Sequence, residues 1–86
     1  MKVTAAHKFL SARTILARKD GWKTLLPKHC AELLLDLEAN YGAKEAYVKL
    51  ASDYGQKIAQ VILDLAITNV RNPEMNDKLF NAMYKG

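Results

Sequence analysis

His29 and Cys30 are the first residues to weigh as chemistry, because an imidazole beside a thiol is the makings of a base and a nucleophile. Such a dyad works only when the two side chains lie within hydrogen-bond reach. Neighbours on a helix point about 100° apart and do not face each other. Cys30 also falls on an apolar stripe, so the pattern predicts a structural, buried cysteine. His29 is expected at the surface near a helix N-terminus, where its positive form is disfavoured. Metal chemistry has no better footing. His7, His29 and Cys30 show none of the HxxxH, CxxC or ExxH spacings that set ligands on one helix face. The glycines are isolated, so no phosphate-cradling loop is formed, and the carboxylate pairs Glu32 with Asp36 and Glu45 with Asp53 sit on faces expected to be solvated. The chain therefore reads as a non-enzyme without metal or cofactor.

Charge is more informative. The net charge of +4 conceals a division: residues 1–28 hold Lys2, Lys8, Arg13, Arg18, Lys19, Lys23 and Lys28 against Asp20 alone. The remainder carries a slight acidic excess. Lys8, Arg13, Arg18, Lys19, Lys23 and Lys28 are thus the candidate partner-binding set, suited to phosphates or to a carboxylate-rich protein surface. Phe9 and Trp22, the aromatics among them, are assigned to the core.

The elements that must position these residues are helical throughout. Eighty-six residues form a single domain, 1–86, whose core is marginal at this length. With Cys30 as the sole cysteine, no disulfide framework offsets that, which favours self-association and a reducing, cytoplasmic setting. No secretory leader or membrane span is expected: Lys8 and Arg13 interrupt the early apolar residues, and the most apolar stretch, 61–67, is short and contains Asp64. Turn signals stand at Asp20-Gly21, Tyr41-Gly42 and Asn72-Pro73. A first helix is predicted from Ala5 to Leu16 with Thr4 as its cap. A single turn around Trp22, Leu25 and Leu26 follows, then a second helix from Pro27 with the stripe Cys30, Leu33, Leu34, Leu37 and Tyr41. Asn72 and Pro73 open a last helix that reaches about Tyr84.

Residues 43–71 carry the strongest pattern. Glu45, Lys49, Asp53, Gln56, Lys57, Gln60, Asp64, Thr68 and Arg71 share one side of a helical wheel. Tyr47, Ala51, Tyr54, Ile58, Val61 and Leu65 form a seam opposite, and the polar stripe keeps its phase across Gly55. The pattern predicts one long third helix of roughly 43 Å, too long for its neighbours to cover. The seam is accordingly the expected oligomer interface. Leu50, Ala51, Tyr54, Gly55, Val61 and Leu65 also approximate helix-turn-helix spacing. Two features oppose that reading. Gln56 follows the glycine where an apolar residue is usual, and Ile62 and Leu63 would stand on the exposed face of the reading helix.

The expectation is an all-α, three- to four-helix bundle-like unit completed by self-association. It would be a small interaction protein, accessory, inhibitory or adaptor in type and of the sort phages and mobile elements encode, holding an acidic protein partner through its basic N-terminal region. The alternative is a nucleic-acid-binding regulator that places the same basic residues on phosphates.

Overall fold

A computed structural model describes residues 3–84, so Lys2 of the basic set lies outside the described residues. The fold is all-helical, with no strand among the described residues. The described residues form five α-helices in order: α1 (Ala12–Leu16), α2 (Pro27–Tyr41), α3 (Ala43–Tyr54), α4 (Gln56–Arg71) and α5 (Met75–Met83). Two 3-10 turns, Ala5–Phe9 and Gly21–Thr24, complete the backbone.

The expected long third helix does not exist. Gly55 has φ +93° and ψ 154°, and Gly42 repeats almost the same geometry at φ +87° and ψ 157°. This is glycine-only backbone, and an L-side chain there is strained even where space is open. Each glycine is at once the C-cap of one helix and the N-cap of the next. The chain reverses at a single residue, so the longest dimension of the molecule, 39 Å, falls short of the predicted rod. The polar stripe kept its phase because both flanking segments are helical. Phase does not report whether the axis is straight.

The first helix is also broken. Ser11, in extended conformation, accepts a hydrogen bond from the Thr14 N–H and restarts the helix as α1, while Thr4 makes no side-chain cap. α2 matches its predicted start, and Pro27 occupies the first turn, where a missing N–H costs nothing. α5 begins two residues later than expected. Its Asn76, rather than Asn72, is the polar tie: Oδ1 accepts from the Lys28 N–H at 2.8 Å, and Nδ2 donates to Asn69 at 2.8 Å. That bond satisfies one of the orphan donors at the start of α2 and draws the end of α4 beside it. α2 and α4 therefore run antiparallel, and they form the most extensive packing in the molecule.

The main core takes Ile15 from α1, Cys30, Leu33 and Leu37 from α2, Ala46 and Leu50 from α3, and Ala59, Ile62 and Ala66 from α4. Alanines at the helix contacts let the backbones approach, and Leu50 and Ile62 fill what remains. A second cluster joins Val3, Leu26 and Phe80, with Tyr84 stacked on Phe80 at 5.1 Å. Tyr41, predicted to close the α2 stripe, stands exposed instead.

His29 overturns its surface assignment. Both histidines are 1% exposed and meet edge to face, 5.6 Å between centroids. His29 Nδ1 accepts the Leu26 N–H at 3.1 Å, capping α2, and its Nε2 faces the Lys8 carbonyl at 3.4 Å. His7 Nε2 donates to the Thr24 carbonyl at 2.7 Å. The pair pins the N-terminal segment onto the start of α2, and it requires a neutral His29, because a protonated Nδ1 could not accept.

Replacing Gly55 with alanine is expected to destabilise the fold by about 1–3 kcal/mol in urea unfolding. A continuous helix would give the opposite sign, since alanine exceeds glycine there by about 1 kcal/mol. Burial is the main cause that holds the His29 pKa below its ordinary value, with the charges of His7 and Lys28 acting the same way. The unfolded chain therefore takes up the proton first as pH falls. Stability should be full above about pH 6.5 and decline below it. Urea midpoints of wild type and His29→Asn at neutral and mildly acidic pH check this. An acid-induced loss equally large in both proteins would remove His29 as its source.

Candidate basic face around Trp22

The six predicted partner-binding residues do not form one handle. Arg13 is committed to Asp36, with Nη1 to Oδ2 at 2.9 Å. Both partners are about half exposed, so the pair adds little stability, yet it offsets the charge. Lys8 and Lys28 belong to a separate patch, where Lys8 Nζ lies 4.8 Å from the Phe80 ring centre and Lys28 Nζ 5.7 Å from that of Phe9. These two line a groove with Leu26, Asp77 and Phe80, and Phe9, assigned to the core from sequence, is 83% exposed beside it.

Arg18, Lys19 and Lys23 remain together, because the chain turns tightly there. Asp20 adopts left-handed backbone at φ 55°, the Gly21 N–H closes the turn on the Arg18 carbonyl, and the 3-10 turn at Gly21–Thr24 follows. Trp22 projects from this turn half-buried against the core. Lys23 Nζ sits 5.7 Å from its ring centre and Lys57 Nζ 5.5 Å. Lys57 belongs to the first turn of α4, so the break at Gly55 sets the start of that helix beside the Trp22 turn. Arg18, Lys19, Lys23 and Lys57 are all exposed, as are Gln56 and Gln60. Gln60 is steadied by a 3.0 Å bond from Nε2 to Asp64. The acidic residue within the turn is Asp20, while Asp53 is engaged by Lys49 at 3.4 Å.

Two cations over one indole are held partly by its quadrupole, each contact contributing about 0.5–1 kcal/mol at an exposed site. Their mutual repulsion is reduced by any anion that docks between them. Sequence reasoning missed Lys57 because the helical wheel placed it with Asp53 on the polar side of one straight rod. In the structure Asp53 pairs backwards with Lys49. Gly55 immediately before Gln56 and Lys57 is the signal that marks the start of a separate helix.

The proposed oligomer seam is likewise dispersed. Tyr47, Ala51, Tyr54, Ile58 and Leu65 are half-buried against the protein's own core, and Val61 is half-buried on α4. Turning the chain at Gly55 lets α3 and α4 cover each other, so these residues complete the monomer. Among the described residues, the large apolar side chains left exposed are instead Phe9, Leu35, Tyr41, Val48, Ile67 and Val70.

The approximate helix-turn-helix spacing stands differently as well. Ile62 is fully buried and Leu63 half-buried, so the objection that both would face outward is removed. The connection is a single residue, however, shorter than the three to four usual in that motif.

Among the described residues no cluster of three or more His, Cys, Asp or Glu could hold a metal ion, and no helix is long and apolar enough to cross a membrane. Comparison with protein-family models, curated proteins and solved structures finds no match.

Cys30 is fully buried, and burial pushes its thiol up to about 12. The folded protein should resist iodoacetamide at neutral pH, with labelling appearing only as denaturant unfolds it. Rapid alkylation of the native protein, followed by mass spectrometry, would contradict this burial.

Proposed function

We propose that the protein is a non-catalytic binding module for an acidic macromolecule, with nucleic acid as its partner class. The observation that carries this reading is the meeting of Lys57 with Lys23 on Trp22. It brings two exposed cations together beside the exposed amides of Gln56 and Gln60 at the opening of α4, with exposed Arg18 and Lys19 in the turn that leads into Trp22. Lysine and arginine neutralise phosphates, and glutamine side chains can read base edges in a major groove. Cationic positioning beside an amide-bearing helix start is the division of labour such binding uses. The regulatory effect would be occlusion or bridging of the bound site.

An acidic protein surface is the second reading. It is favoured by the Lys8, Phe9 and Lys28 patch, where the exposed Phe9 ring has Lys28 over it and suits an apolar contact with a carboxylate rim. The reading places the molecule in the cytoplasm, consistent with a buried free thiol, and as a homo-oligomer, consistent with a small core and apolar side chains left exposed.

Retardation of duplex DNA or RNA in a shift assay is expected at low salt. Four phosphate contacts on DNA would give a log–log salt slope of about −3.6. Lys57→Ala and Lys23→Ala should each lower the slope by about 1 and weaken binding across sequences. Gln56→Ala should instead flatten sequence preference. Absence of retardation at low salt would exclude the nucleic-acid reading.

A further inference from the structure

Three of the six large apolar residues exposed among the described residues, Leu35, Ile67 and Val70, gather at one place. They edge a groove of about 300 Å³ between α2 and α4, floored by Ala31, Leu34 and Ala66. Val70 is 80% exposed and Leu35 65%, both on well-formed helices away from the basic face. A ridge of apolar side chains beside an apolar furrow is the shape that a helix pair of the same kind fits, ridge into groove. Small alanines in the floor leave room for the inserted side chain.

The rim charges indicate what that second helix pair is. Glu38 lines the groove near the end of α2, and Arg71 follows Val70 at the end of α4, one turn beyond Ile67. Because α2 and α4 are antiparallel, these two charges lie at opposite ends of the groove. A two-fold axis through its middle, near Leu35 and Ile67, exchanges the ends. It sets Glu38 of one copy against Arg71 of the other, twice. An isologous contact requires this self-complementarity: one patch that satisfies itself when rotated.

We infer that the α2–α4 groove is the surface through which two copies of this chain form a two-fold dimer, with Val70 and Leu35 as the inserted side chains and Glu38–Arg71 pairs fixing the register. The inference gives a surface to the self-association in the reading above, and it uses none of the basic residues around Trp22. It replaces the seam at Tyr47–Leu65, which the monomer itself covers.

Analytical ultracentrifugation of the full chain over rising concentration tests it. Wild type should pass from single-chain to doubled mass. Val70→Lys should hold the single-chain mass with unchanged circular dichroism, since an exposed side chain is replaced. Glu38→Arg and Arg71→Glu should each weaken the dimer roughly tenfold, and the double variant should recover wild-type association. A wild-type chain that keeps single-chain mass at the highest concentration, or a Val70→Lys chain that dimerises normally, overturns the inference. So does a double variant no tighter than the singles. Nucleic-acid retardation is a separate readout, and its failure leaves the mass measurement unaffected.

Discussion

The architecture turns on two backbone positions. Gly42 and Gly55 interrupt the helical run from Pro27 to Arg71, each with φ near +90° and an extended ψ. No side chain compensates for the missing helical bonds at these joints. The Gly42 N–H still bonds back to Glu38 and the Gly55 N–H to Ala51, so the last helical turn closes before the chain turns. The turns bring α2, α3 and α4 onto one core, where Leu50 and Ile62 are fully enclosed. A straight helix would have left the same apolar residues in water. Burying a leucine or isoleucine contributes about 1.5–3 kcal/mol, comparable with the strain a non-glycine residue would suffer at either joint.

The basic face follows from that folding. Lys57 is far from Trp22 in sequence, and it reaches the indole because α4 starts at the joint instead of continuing the line of α3. The N-terminal cations are arranged by a different constraint, the buried His7–His29 contact that holds the first segment on α2. Arg13 then lies against Asp36 and Lys8 against Phe80, while among the described residues Arg18, Lys19 and Lys23 form no salt bridge. One charged third of the chain is thereby separated into a neutralised pair, an aromatic-lined patch and an open cationic face. Only the last combines charge density with exposed amides.

Much of the fold is legible in the sequence. The turn at Asp20-Gly21, the Pro27 helix start, the buried Cys30 and the helical character of every long segment all followed from local rules. Each depends on residues adjacent in sequence: a proline that suits a first turn, a glycine that follows a helix, an apolar residue every three or four places. His29 was misplaced because nothing local announces its neighbours. Its burial comes from His7 and the Lys8 carbonyl, some twenty residues away. Phe9 erred in the opposite direction, apolar by type yet 83% exposed, outside the cluster of Val3, Leu26 and Phe80.

The sequence by itself determined the helical class, the charge asymmetry and where glycine permits the chain to bend. Tertiary structure decided that the chain does bend at Gly55, which apolar face is consumed by the monomer, and which cations stand together. The physical reason is that periodicity records how each residue is oriented about its own helix axis. The direction of one axis relative to the next is set by a single pair of dihedral angles and by the burial gained when the helices close on each other. No wheel of residues carries that information.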